Sequence, residues 1–338
     1  MTRSNGVRLQ WHIPGFMPPW EEADLLIFGI RTRSRDGEDP FVCRELNRLE
    51  WGRTEVRAVH LGILPVDTSG EQSRNWLKNI KHYIRENNPR AKILIYADRV
   101  PSAFMLEGWL DEDGRTVLFS PGSHLTPEHV WAVLGRKTGQ GHLHIAGIQI
   151  YHTEKDFNRL LTFGEVDIWR LSDLKKEADL METLMRDAGT VLCGMDMLAF
   201  GVTANVSHPV AGFDIYDWVG MFYHFGMSPT ASDMWVWEKA PGDYPEKDAG
   251  ALAMGIWHIA DGMKNKTEDF PFIDRNRLQK VEIMADGHNI ELYLNPDTRH
   301  WWVKLPKVGA SYWMPVTQKA VETMRKGFLP FHILKHFV

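Results

Sequence analysis

Only two cysteines occur in the 338 residues, Cys43 and Cys193, and each lies inside an apolar run. That is too few for a disulfide framework, and they are read as buried free thiols in a reducing compartment. Long hydrophobic runs are absent as well, none approaching the ~20 residues that a spanning helix needs. The opening Met1-Thr-Arg-Ser-Asn-Gly6 has no apolar segment of the kind a secretion signal requires, so a cytoplasmic location is expected. Charge of one sign is lacking: 39 basic and 44 acidic residues leave a formal charge of −5. So even a balance argues against a nucleic-acid footprint or a membrane-surface patch. Neither linker, repeat nor low-complexity tract interrupts the chain.

What is there is an ordinary globular composition, 43% apolar and 25% charged, enough for one large α/β domain or two small ones. Fourteen tryptophans are many, and Trp301, Trp302 and Trp313 fall near the end, where burying a tail is the favoured role. Short apolar strands alternate with helical periodicity. Strands are expected at residues 25–30, 56–62, 91–96, 116–119, 142–150, 166–169 and 190–193. Helices are expected at 41–49, 73–87, 103–110, 154–161 and 174–186. This alternation predicts a three-layer α-β-α domain with a mostly parallel sheet over residues 1–276. Residues 277–338 read as an appendage, an antiparallel meander of strands at 280–284, 289–294 and 301–305 with a helical tail, packed on the edge of the main sheet.

Parallel sheets gather functional groups at the carboxyl ends of their strands. Four such ends stand out: Tyr96-Ala-Asp-Arg-Val100, Phe119-Ser-Pro-Gly-Ser-His124, Met195-Asp-Met-Leu198 and Trp235-Val-Trp-Glu238. With the loop Asn205 to Gly212, Pro241 three residues beyond Glu238, and the helical stretch Ala249 to Gly262, they carry a resemblance. From about Asp24 to Pro306 the chain resembles the ureohydrolases, the arginase, agmatinase and formiminoglutamase family, with its formiminoglutamase-like branch nearest.

The resemblance implies a two-manganese site held by a histidine after one strand, an Asp-x-His-x-Asp cluster after the next, and a later Asp-x-Asp pair. Two divalent ions need several carboxylate oxygens to offset their charge, and they serve to generate hydroxide from a bridging water at neutral pH. Carried over by position, the histidine falls on Arg99, which stays protonated and cannot ligate. The cluster falls on Ser120, Gly122 and His124; a two-residue slip would keep His124 as a histidine ligand but adds no acid, since none lies between Arg115 and Glu128. The pair falls on Asp196 and Leu198. Glu238, at the position that would grip a substrate's cationic end, is kept, and Asn205 and His208 lie on the loop that meets the amino-acid end. Arg99 beside Asp98 and Asp196 offers a structural substitute for the ion, worth roughly 4 kcal/mol at ~4 Å and an effective dielectric of ~20.

Other candidates have blander readings. His142 and His144 share a strand face, the spacing of a zinc site, but in so apolar a strand buried structural histidines are favoured. Ser207, His208 and Asp214 include hydrolase residue types without nucleophile-elbow glycines. One of Trp235 and Trp237 is expected to face the core, and the run Lys264 to Asp269 reads as a solvated turn.

The expected function is a metal-free, ureohydrolase-like pseudoenzyme. Its ligand would be a small guanidine- or amino-acid-like molecule held by Glu238, Asn205, Arg99 and His208, or else it would bind a protein partner or further copies of itself. No cofactor is expected. The alternative is a hydrolase of linear amidines or formimino compounds, using manganese at an atypical site built from Asp196, His124 and His208.

Overall fold

The computed structural model describes residues 10–11, 19–31, 40–51, 55–65, 70–111, 114–122, 127–134, 142–149, 166–199, 201–202, 211–238, 245–266, 269, 273–306 and 312–337. Nine strands form one sheet in the order β1-β3-β2-β4-β9-β8-β5-β6-β7. They are β1 (Gln10–Trp11), β2 (Leu25–Arg31), β3 (Ala58–Pro65), β4 (Lys92–Ala97), β5 (Arg115–Phe119), β6 (His142–Ile148), β7 (Val166–Arg170), β8 (Thr190–Gly194) and β9 (Asp233–Trp237). Every pairing is parallel. Helices cover both faces of such a sheet, so its strands carry apolar residues at successive positions rather than alternately, and β4 and β6 are buried throughout.

Period-two geometry divides each strand between two cores. On one side Leu25, Ile27, Leu94, Val117, Phe119, Met234 and Val236 pack with α1 (Pro40–Arg48), α6 (Leu180–Asp187), α7 (Ile215–Met227) and α8 (Pro245–Lys264). On the other, Leu26, Phe28, Ile93, Ile95, Leu118, Trp235 and Trp237 meet α2 (Glu71–Asn87), α3 (Ala103–Trp109) and α4 (Pro127–Leu134). The layers are α-β-α. Trp235 and Trp237, two residues apart, both lie in this second core, against the expectation that one would turn away. Among the described residues no helix is long and apolar enough to cross a membrane.

The single helix read at 174–186 is two, α5 (Leu171–Lys176) and α6, broken at Glu177–Asp179. The break serves another element. Asp179 accepts from the backbone N–H of Gln318 at 2.9 Å, and Glu177 receives Lys319 at 2.6 Å. Both acids thus neutralise the start of α9 (Gln318–Arg325). The helix expected at 154–161 lies outside the described residues.

Beyond the parallel sheet, β10 (Gln279–Ala285), β11 (His288–Leu294), β12 (Trp301–Leu305) and β13 (Tyr312–Val316) form an antiparallel sheet in sequence order. The fourth strand lies beyond the three expected from the sequence; it contains Pro315, tolerated because β13 is an edge. α9 and α10 (Phe331–Leu334) close over this sheet around Val321, Met324 and Ile333. The unit packs on the β7 edge through polar contacts. Tyr312 Oη donates to Asp187 at 2.8 Å, Lys335 Nζ lies 2.7 Å from Asp167, and the Arg115 guanidinium sits 3.7 Å over the Tyr312 ring. The run 264–269 is not wholly solvated: Asp269 is buried and accepts from Asn295, Thr298 and His300, bracing the β11–β12 turn.

Candidate functional site

β4 and β5 are consecutive in the chain but separated in the sheet by β9 and β8, which the chain fills on its return after β7, so the helices that follow β4 and β5 cover one face and those that follow β8 and β9 cover the other. At such a switch point the loops leave in opposite directions and a crevice opens beyond the carboxyl ends. The register sets the row of residues at its floor. Ala97 and Gly194 both pair with Trp237, and Phe119 pairs with Cys193. Asp98, Glu238 and Met195 therefore stand level beyond three neighbouring strands, and Ser120, one residue lower beside Gly194, ends the fourth, the strands lying ~4.8 Å apart. The sequence had singled out these four ends, and the fold brings them together.

Asp196 lies in the short 3-10 turn Met195–Met197 that follows β8, and it is buried. Its carboxylate folds back over Gly194: a Cβ on that glycine would stand 2.1 Å from Asp196 Oδ1 and 3.0 Å from Trp237 Nε1. Burial, and then the nearby Asp196 charge, push the Cys193 thiol well above its usual range, so Cys193 is inert as a nucleophile. Cys43 forms no disulfide.

The remaining positions are committed elsewhere. Ser120 Oγ accepts from the Gly122 N–H at 3.1 Å, closing a tight turn in which Gly122 takes φ +97°. Leu198 is fully buried, bridges Phe213 and belongs to the apolar core. Arg99 Nε is 3.8 Å from Asp98 Oδ1, with side chains 40% and 29% exposed. Solvent screening brings that pair into the 0–1 kcal/mol range of surface ion pairs, well under the ~4 kcal/mol of a buried one. Glu238 is half-buried, and its backbone N–H extends the ladder to Ala97 O at 3.1 Å.

Asn205, Ser207, His208 and His124 lie outside the described residues. Asp214 is taken by capping, accepting from the N–H groups of Tyr216 and Asp217 at the start of α7, which removes it from any Ser-His-Asp arrangement.

At the other end of the sheet His142 and His144 are buried, as expected, and meet two acids that the sequence alone does not pair with them. His142 Nε2 lies 2.8 Å from Asp167, and His144 Nε2 lies 2.8 Å from Asp187, all four residues buried. Burial pushes His142 down, opposed by its bond to Asp167. Burial alone would raise Asp167, but His142, His144 and Lys335 hold it well below the carboxylate range; Arg115 and His144 do the same for Asp187. The available signal was Asp167 itself, a charge inside Val166-Asp-Ile-Trp169.

No family model and no curated protein matches the sequence. Solved structures do match in fold. Trypanosoma cruzi formiminoglutamase with Mn2+2 superposes with TM-score 0.60 and 13% identity over 73% of this chain and 95% of its own. The formimidoylglutamase of Bacillus subtilis gives 0.56 and 12% over 78% and 90%. Agmatine ureohydrolase of Thermoplasma volcanium gives 0.51 and 15% over 73% and 92%. The chain has the ureohydrolase fold, carried by the parallel sheet and extended by a separate antiparallel one.

Proposed function

We propose that this protein is a ureohydrolase-fold protein that has given up two-metal hydrolysis and uses the crevice at the carboxyl ends of β4, β9, β8 and β5 to bind a small cationic ligand of guanidine or amino-acid type. The burial of Leu198 in the apolar core carries the reading. A position required to supply a carboxylate to a dication instead supplies packing. Ser120 spends its oxygen on a turn, and Arg99 brings a fixed positive charge. This donor set does not fit two manganese ions, which need several hard oxygen ligands.

Asp98, Asp196 and Glu238 would supply the crevice's negative charge, with Arg99 beside them to engage a ligand carboxylate by a bidentate contact. Asn205 and His208 belong to the same proposal through the loop that contains them.

The test is a thermal-shift screen of amino acids, arginine, agmatine and N-formimino-glutamate, alongside metal analysis and an assay for turnover in excess manganese. A ligand at 100 times its Kd stabilises by about 2.7 kcal/mol, and Glu238→Gln should abolish that shift. Two equivalents of manganese in the purified protein, or turnover lost on Asp196→Asn, would establish the hydrolase instead. No stabilisation by any compound would remove the small-ligand role.

A further inference from the structure

At the amino ends of β6 and β7, away from the crevice, His142, His144 and Asp167 converge in the seam beneath the C-terminal tail. One ligand atom from each lies within 4.8 Å of the others. Asp167 Oδ2 is 2.8 Å from His142 Nε2 and 3.5 Å from His144 Nδ1. Ligand atoms ~2.0–2.1 Å from a tetrahedral ion stand roughly 3.3 Å from one another, so both spacings are close to edges of such a polyhedron.

The protonation pattern points the same way. Asp187 is held ionised by Arg115, and it takes the Nε2–H of His144. The Nδ1 of His144 is then an acceptor, met by the indole N–H of Trp169 at a long 3.4 Å. It lies 3.5 Å from Asp167 Oδ2, so two acceptor atoms stand within reach of one cation. A carboxylate behind an imidazole, fixing its tautomer and aiming the other nitrogen, is the usual outer shell of a metal-bound histidine. Lys335 holds the outer oxygen of Asp167 at 2.7 Å and leaves Oδ2 directed at the two histidines.

A fourth group comes from the tail. His336 Nε2 is buried and makes no hydrogen bond, and its ring centre is 6.1 Å from that of His142. Two imidazoles and one carboxylate suit zinc; calcium and magnesium require oxygen-rich shells.

We propose that His142, His144 and Asp167 form a site for a zinc-class divalent ion, completed by His336, which fastens the C-terminal tail to the edge of the parallel sheet. The His142 proton moves to Nδ1 when the ion takes Nε2. The ion's role here is structural, independent of any chemistry in the crevice.

The experiment strips the full-length protein of metal with a chelator, removes any histidine tag, and titrates it with Co2+ and then Zn2+. One equivalent of cobalt should give the visible absorption of tetrahedral coordination, zinc should displace it, and zinc should raise Tm. His142→Gln and His144→Gln should abolish the spectrum, while Asp196→Asn in the crevice should leave it unchanged. His336 is half-buried on the tail, and His336→Gln should weaken cobalt binding at least about tenfold, the lower bound for losing even an outer partner, with an unchanged far-ultraviolet circular dichroism spectrum as the check on folding. The absence of a tetrahedral cobalt spectrum in the unaltered protein, binding that survives His336→Gln undiminished, or binding lost in Asp196→Asn would overturn the proposal.

Discussion

Single residues show how the same environment can silence one group and position another. His60 on β3 receives the Gly62 N–H on Nδ1 at 3.0 Å and faces the Tyr96 hydroxyl with Nε2 at 3.1 Å. Burial pushes it down from 6.5 to about 4. In that window the unfolded chain binds a proton that the folded chain refuses. The contribution of His60 to stability is therefore full above pH 6.5 and falls by up to about 1.4 kcal/mol per pH unit as the pH drops towards 4. Urea unfolding of His60→Gln against the unaltered protein, at pH 7 and pH 5, should show a shallower loss in the variant. Leu198 provides the opposite case. A carboxylate there would stand in an apolar core, so Leu198→Asp should lower unfolding free energy by about 3–5 kcal/mol and recruit no manganese, as read by calorimetry with and without the metal. Restored metal binding in that single variant would contradict the reading of a retired site.

Among the elements, α7 and α8 illustrate a constraint that periodicity does not announce. A Cβ on Gly226 would stand 2.2 Å from Ile259 O, and one on Gly262 would stand 2.1 Å from Tyr223 O. The two backbones touch, and only glycine lets them. Gly262→Ala should push the helices apart at a cost of about 1–3 kcal/mol, read as a lower urea midpoint with an unchanged slope. The α5–α6 break follows a similar logic. Nothing in Leu174 to Arg186 interrupts the helical pattern by itself; the carboxylates of Glu177 and Asp179 are drawn out of it by Lys319 and the Gln318 N–H, some 140 residues away in sequence. The strands, by contrast, were legible wherever an apolar run of four to seven residues ended in a turn, because burial on both faces leaves little else for such a run to be.

For the whole molecule, the seam between the two sheets is held by ions rather than by apolar contact alone. Asp187 receives Arg115, His144 and Tyr312 at once. Asp187→Asn keeps the shape but removes the charge that organises them. Breaking one partner of a buried ionic set costs about 3–5 kcal/mol, and hydrogen exchange should show protection lost first in β13, α9 and α10 while β2 and β4 stay protected. Uniform loss across both sheets would mean that the seam is not a separate cooperative step. Local sequence determined the α/β alternation, the layer order and the four strand ends that meet at the switch point, because hydrophobic period and turn chemistry act over a few residues. It also determined that Arg99 and Leu198 could not serve as metal ligands and that Ser120 brings no carboxylate, since side-chain chemistry does not wait for the fold. Only tertiary structure decided that Ser120 closes a turn and that Arg99 stays half-exposed. It alone joined His142 and His144 to Asp167, Asp187 and a histidine from the far end of the chain, because those contacts depend on which strand edge the C-terminal unit covers, and no local pattern encodes that.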